Sequence, residues 1–479
     1  MQSPFKAMMD VKRHERPMAL LMGTHFFLVI TTFWILKPIK KALFIAHYDV
    51  AGLQLAGTTF SAARAELFAK VLNVALAFVA TVLFAALSNR FRREQLISLF
   101  GGLFMAAFAL FSVLLVAPGS ITVWSFYLLG DLFSTLMVAT FFVLLNDIVT
   151  PESARRLYGP IGVGGVTGGF VGSSLLRSFI GSVDNPTWMW VCFTLISLMV
   201  LTAVLVGRGV RAAATEEPAQ SPGPVAITSG NPLLEGARLV LRSRYLMSIV
   251  AIVAVYEMVS TIMDFQFSAT IARYCDGPEI GEQFATAFAI MNGAALLVQL
   301  FMTSMVMCHL GLRVALLVLP FTTLLGSGAF LALPVLWVAT LMPTLDVAFA
   351  YSINQSAKET LYVPTSPEER YKAKAFIDMF VQRVAKAVAV GMSLLLTGLV
   401  TDFSGVRALS LLSIALIAAW VMAARYAGGR FDAHNYAHDD AHNDAHNEQR
   451  PAGTSRHPRG VVGLSTGPRR QVAQVERSA

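Results

Sequence analysis

The chain has 479 residues, of which 55% are hydrophobic and only 14% charged, with a formal net charge of +8. Soluble domains carry about 25% charged residues, so this composition excludes a soluble enzyme and points to an all-α protein that crosses a lipid bilayer many times. The positive balance gathers in short loops and a basic tail, and needs no nucleic-acid partner.

Windows of about 20 apolar residues, enough to cross roughly 30 Å of hydrocarbon, predict twelve transmembrane helices. They lie near 18–36, 66–88, 96–117, 121–147, 155–181, 186–206, 245–268, 283–307, 312–333, 335–362, 374–399 and 405–426. The expected organisation is a cytoplasmic N-terminus (1–17), an N-terminal six-helix half (18–206), a cytoplasmic linker (207–244), a C-terminal six-helix half (245–426) and a disordered tail (427–479). The linker contains "AAATEEPAQSPGPVAITSGNP", whose Pro, Ser, Gly and Glu content cannot build a core. No small-residue cleavage site follows the first window, which is therefore read as a retained span. Lys and Arg cluster in alternate loops, as at Arg90, Arg92 and Arg93 or Arg155 and Arg156. The connections near 118–121, 182–187, 333–336 and 400–404 have none. Both termini are thus expected in the cytoplasm of a bacterial cell, with the chain in the inner membrane.

In chain order, segment 1 ends in "LKPIKKAL", which places Lys37, Lys40 and Lys41 on one helical face. Pro38 is expected to kink or end the span there; the rival reading of the lysines is a snorkelling cluster at the interface. Segment 4 carries Asp131 in "FYLLGDLFSTLM". Segment 5, "RLYGPIGVGGVTGGFVGSS", lines up glycines for close helix packing; it follows no strand, which excludes a dinucleotide fingerprint. Segment 7 holds Glu257 and Asp264, one heptad apart, as counter-ion, proton carrier or structural partner. Segment 10 carries Asp346, Asn354 and Lys358 at multiples of four, a polar stripe that must face protein or water. Segment 11 places Asp378, Gln382 and Lys386 on one face with Arg383 beside it, where an internal pair between Asp378 and Arg383 is the rival to a substrate role. Cys192, Cys275 and Cys308 have no metal-ligand spacing and read as reduced packing residues. In the tail, His434, His438, His442 and His446 recur every fourth residue, a weak metal-binding candidate if helical. No other metal site and no cofactor is expected.

A charge at the bilayer centre costs about 2.5–3.5 kcal/mol, so Lys37, Asp131, Asp264 and Lys358 imply a polar cavity. "VTPESARRLYG" after segment 4 is echoed by "TSPEERYKAKA" after segment 10, with Pro151 matching Pro367 and Arg156 matching Lys372. Two six-helix halves related by such a repeat are the architecture of the major facilitator superfamily, whose helices 1, 4, 7 and 10 line the cavity.

"NQSAKETLYVP" followed by "RYKAKAFIDMFVQRVAKA" resembles the ATP/ADP translocase family, nucleotide antiporters of intracellular bacteria and plastids. The resemblance is specific across roughly 354–390 and implies that Lys37, Asp131, Asp264 and Lys358 take part in nucleotide transport. Asp stands at 131 and 264 where the family usually has Glu, and Ser268 stands where Lys is common.

No P-loop, ATPase domain or nucleophile–base arrangement is present in the sequence, so enzymatic activity is not expected. The cavity cations Lys37, Lys40, Lys41, Lys358, Arg383 and Lys386 outnumber Asp131, Asp264 and Asp378, which suits an anionic small molecule such as a nucleotide. The expected mechanism is exchange by alternating access. Lys37 and Lys358 bind phosphate, Asp131 and Asp264 hold those lysines in the empty site, and Tyr351, Phe265 or Tyr127 stacks a base. The alternative is proton-coupled transport of an unrelated small molecule, with Glu257, Asp264 or Asp131 titrating; a sensor or assembly subunit on the same scaffold is a third reading.

Overall fold

The structure is a computed structural model that describes residues 12, 15–55, 57–88, 90–91, 93–149, 151–216, 232–302, 305–365, 373–374, 376–400 and 402–448. Met1–Asp432 form one compact unit and Ala433–Ala479 a second, in which 433–448 are helical.

Helix α1 runs Arg16–Tyr48, well beyond the span expected to end near residue 36. Pro38 lies inside it and does not terminate it, because flanking apolar residues such as Ile35, Leu36 and Ile39 are buried and hold the helix through the lost backbone bond. An antiparallel hairpin comes next, β1 (Leu53–Leu55) with β2 (Thr58–Phe60), with Leu53 opposite Phe60, in a stretch outside the expected spans. Gly52 and Gly57 adopt φ of 65° and 80° around it, a region that favours glycine. The rest of the N-terminal half is α2 (Ala62–Ser88), α3 (Arg93–Leu114), α4 (Ser120–Ile148), α5 (Pro151–Phe179) and α6 (Asn185–Glu216).

The glycines of α5 let it touch α1 backbone to backbone. A Cβ on Gly164, Gly168 or Gly172 would come within 2.4, 2.5 or 2.6 Å of the carbonyl oxygens of Gly23, Phe27 and Thr31. The spacing of four on both helices repeats this contact on every turn, and Thr31 Oγ1 donates to Gly168 O at 3.2 Å.

The expected linker is partly ordered. α6 extends to Glu216 and a short helix, α7 (Pro232–Arg242), buries Val240 ahead of the next span. The C-terminal half comprises α8 (Arg244–Tyr274), α9 (Pro278–Leu297), α10 (Gly311–Ala332), α11 (Leu336–Phe349), α12 (Gln355–Leu361), α13 (Gln382–Leu399) and α14 (Phe403–Glu448). Ser243 caps α8 by accepting from Leu246 N. α14 makes 427–448 helical where a disordered tail was expected. The side chains of His434, His438, His442 and His446, like that of Cys308, lie outside the described residues.

Turns of π-helix occupy Val298–Met302, Val306–Leu310, Ala350–Asn354 and Ile377–Val381. Each extra residue rotates the downstream part of the helix by about 100°. The π turn at 350–354 therefore breaks the stripe expected for Asp346, Asn354 and Lys358; the first two are buried, whereas Lys358 is half-buried.

Among the described residues ten helices are long and apolar enough to cross a membrane. The expected spans at 155–181 and 374–399 fall on α5, diluted by glycine, and on α13, which carries Arg383 and Lys386. The N-terminal half has its own core around Phe104, Phe108, Phe133 and Phe141. A second core around Phe265, Phe267, Phe284 and Phe288 also takes in Phe44, Leu67 and Tyr127, from the hairpin-side ends of α1, α2 and α4. The halves thus join at the hairpin side, where Arg64 of α2 donates to Thr397 O of α13.

Candidate functional site

Four helices bring their ionisable residues to one place. On α1, Lys40 and Lys41 are 4% and 2% exposed, which excludes snorkelling to the interface. Lys40 Nζ pairs with Asp131 of α4, and Asn73 Nδ2 of α2 donates to the other Asp131 oxygen at 2.8 Å. Gly130 makes this reach possible, since a Cβ there would lie 2.8 Å from Lys40 Cδ. Lys41 Nζ crosses to the C-terminal half, 2.8 Å from Asp264 Oδ1 and 2.9 Å from Ser268 Oγ.

α2 completes the cluster. Lys70 Nζ lies 2.6 Å from Asp264 Oδ2, so Asp264 is held by two lysines from two N-terminal helices. Glu66 is fully buried, 3.2 Å from Lys41 and 3.7 Å from Lys70, and accepts a 3.0 Å hydrogen bond from Tyr127 Oη. Glu66, Lys70 and Asn73 were missed in the sequence. Their spacing of four and three on an apolar helix is the same polar-stripe signal that flagged segment 10, but the expected span began at residue 66 and left them at its edge.

Lys37 differs from its neighbours. Its Nζ lies 4.7 Å from the Trp34 ring, 5.0 Å from the Phe288 ring of α9 and 5.7 Å from the Phe33 ring. Among the described residues no carboxylate lies within 4 Å of it. The expectation that Asp131 and Asp264 hold Lys37 and Lys358 is therefore corrected: they hold Lys40, Lys41 and Lys70, which the i, i+3, i+4 geometry of α1 and the face of α2 aim at them. Lys37, Lys40, Lys41 and Lys70 set four positive charges against the three of Glu66, Asp131 and Asp264.

The remaining candidates lie elsewhere. Tyr274 Oη donates to Pro334 O, so the last residues of α8 and the first of α11 share the hairpin side. Asp264 lies about 15 Å from that end by helical rise and Lys358 about 33 Å, so Lys358 does not join the cluster. Lys358 faces Asp378 electrostatically, and Asp378 accepts from Gln382 Nε2 at 3.1 Å. The expected pair of Asp378 with Arg383 is absent among the described residues, because Arg383 turns across to α2 and donates to Thr81 Oγ1 at 3.1 Å. Lys386 pairs with Glu257 at 3.3 Å. Asn354 is buried, and its side-chain oxygen has no hydrogen-bond partner among the described residues. Phe265 and Tyr127, each 1% exposed, are packed and leave no open face for a base, whereas Tyr351 is 63% exposed. Among the described residues no group of His, Cys, Asp and Glu could hold a metal ion.

The sequence profile of the TLC ATP/ADP transporters matches residues 119–431. The chain belongs to the TLC ATP/ADP transporter family. It is 23% identical to ADP,ATP carrier protein 1 of Chlamydia muridarum, covering 85% of this chain and 87% of that one. ADP,ATP carrier protein 4 of Rickettsia felis is 20% identical, covering 79% and 84%. Among solved structures, a mutant of the nucleoside transporter NupG superposes with a TM-score of 0.60 at 11% identity, covering 87% of this chain and 99% of that chain. A D-xylose–proton symporter superposes with a TM-score of 0.55 at 13% identity, covering 86% and 96%. This TLC chain is an all-α membrane protein of the major facilitator type, and its lysine cluster lies where the two halves meet.

Proposed function

We propose that the chain is a secondary transporter that exchanges nucleotides such as ATP and ADP by alternating access. We place it in a bacterial inner membrane, with twelve spans and both termini in the cytoplasm. The observation that carries this reading is Lys37, a cation at the junction of α1 and α9 with no carboxylate within 4 Å among the described residues, beside a cluster with one surplus positive charge. A phosphate group matches that surplus and gives Lys37 the charge-assisted hydrogen bonds that its aromatic surround does not. Phosphate can then draw Lys41 or Lys70 away from Asp264, trading an ion pair between the halves for one with the substrate. Family membership and the named carriers support the substrate class, and a transporter of this kind has no catalytic residue.

Lys358 takes a second role in this reading. From its place deeper along α12 it meets the nucleotide on the way to or from the side opposite the hairpin, with Asp378, Arg383, Lys386, Glu257 and Asn354 around that route.

Purified protein in liposomes loaded with ADP should take up labelled ATP, and empty liposomes should take up far less. Lys37→Ala should reduce the exchange at least about tenfold, the loss expected when one charged hydrogen-bond donor is removed from a buried anion site. Unchanged exchange in both Lys37→Ala and Lys358→Ala would overturn the assignment.

A further inference from the structure

One buried carboxyl stands apart from the lysine cluster. Asp346 lies on α11 with 6% of its surface exposed. Its Oδ2 accepts a 2.6 Å hydrogen bond from Ser260 Oγ of α8, and its Oδ1 is buried with no hydrogen-bond partner among the described residues. The titratable groups that face it are Glu257, Asp264 and Tyr256 of α8, Lys37 of α1 and Tyr351 close by on its own chain segment. From two other neighbours of α11, Gln283 of α9 donates to Thr340 and Gly326 of α10 lies against Met342.

The cations around these acids are already engaged. Lys386 pairs with Glu257, and Lys41 and Lys70 both pair with Asp264. Lys37 is left as the cation that faces Asp346 without a carboxylate within 4 Å among the described residues. A carboxylate buried in a membrane bundle is strongly disfavoured without a compensating charge. While Lys37 is empty, it offsets part of that charge through space, against the opposing charge of Glu257. Once an anion sits on Lys37, the compensation is gone and a second negative charge stands beside the carboxyl.

We infer that Asp346 is a proton site linked to Lys37, so that proton and anion bind together, leave together and cross the membrane together. The step is a protonation from water: an O–H bond forms at Oδ1 while Ser260 still donates to Oδ2. That bond breaks when the departing anion returns Lys37 to the carboxylate. The coupling is reciprocal, since a proton that favours the anion is favoured by it to the same extent. The inference rests on the nucleotide reading only for the identity of the anion.

Two measurements test it on the full-length protein. The first uses no ligand. An infrared pH titration of the wild type should show a carboxylic-acid band that titrates, and Asp346→Asn should lack it; coincident titrations overturn the proton site. The asparagine keeps an acceptor for Ser260, and thermal unfolding confirms that the variant is folded. The second reads ATP affinity against pH. In the wild type the apparent Kd should rise up to about tenfold per pH unit above the titration of the site, and in Asp346→Asn it should follow only the titration of ATP itself. Equal pH slopes overturn the coupling. A titrating band in a protein that ATP neither binds nor stabilises overturns the nucleotide reading and leaves the proton site standing.

Discussion

The two polar regions of the bundle are built differently from the same residue types. At the hairpin side, Lys40, Lys41, Lys70, Glu66, Asp131 and Asp264 are mostly buried, and four helices from both halves supply them. Toward the other side, Lys374 pairs with Glu359 at 2.6 Å and Lys386 with Glu257 at 3.3 Å, but three of these four side chains are more than a third exposed. Burial makes the first region a structural tie whose parts depend on one another; solvent makes the second a set of separable contacts. A transporter needs both kinds, a tie strong enough to shut one side and loose contacts on the side that opens.

The most damaging way to break the first region is Asp264→Ala. It leaves Lys41 and Lys70 with Glu66 as their shared acid, and should cost about 3 kcal/mol, the scale of a broken buried pair. Thermal unfolding in detergent measures this, and Glu359→Ala is the matched substitution in the second region. Equal destabilisation by the two would abolish the distinction. A smaller effect is expected from Tyr127→Phe, which removes the hydroxyl donor from Glu66 Oε1 while Glu66 Oε2 accepts no hydrogen bond among the described residues. About 1–2 kcal/mol is expected in the same assay. A silent Tyr127→Phe would mean that Glu66 is not held as tightly as its burial implies.

The same contrast governs how much of the molecule was legible in the sequence. The apolar windows mark most of the membrane-length helices and their order, because the bilayer sets segment length. The fold type emerged from the repeat of "VTPESARRLYG" and "TSPEERYKAKA". Asp131 and Asp264 stand out because each is an acid inside an apolar run. Their partners do not: Lys37, Lys40 and Lys41 share one helical face, and only the packing of α1 against α4 and α8 decides which of them meets an acid. Glu66 and Lys70 were hidden at a span edge because α2 begins earlier than its apolar window. The π turns leave no mark in the sequence, so an uninterrupted helix predicts an Asp346–Lys358 stripe that the rotation at Ala350–Asn354 breaks.

A contact between the regions tests where the tie ends. Arg383 of α13 reaches Thr81 of α2 at 3.1 Å, a link across the halves made by one charged donor and one neutral acceptor. Thr81→Val removes the acceptor and keeps the shape, and should cost under about 1 kcal/mol. If the link holds this part of the two halves together, Thr81→Val should also speed nucleotide exchange measured in liposomes, since opening must break it.

The smallest effect should come from the exposed pair of Lys374 and Glu359. Both side chains reach water, so the Coulomb gain is screened and offset by the entropy of holding two long side chains in place. Lys374→Ala should lower stability by no more than about 0.5 kcal/mol in dilute buffer, and by less still near 1 M salt, where screening acts within about 3 Å. Asp264→Ala should keep most of its effect in the same high salt, because ions do not enter the buried cluster. Parallel salt series of the two variants therefore separate a tie from a contact: equal salt sensitivity would show that solvent reaches the Lys41, Lys70 and Asp264 group, and that the hairpin side is not shut.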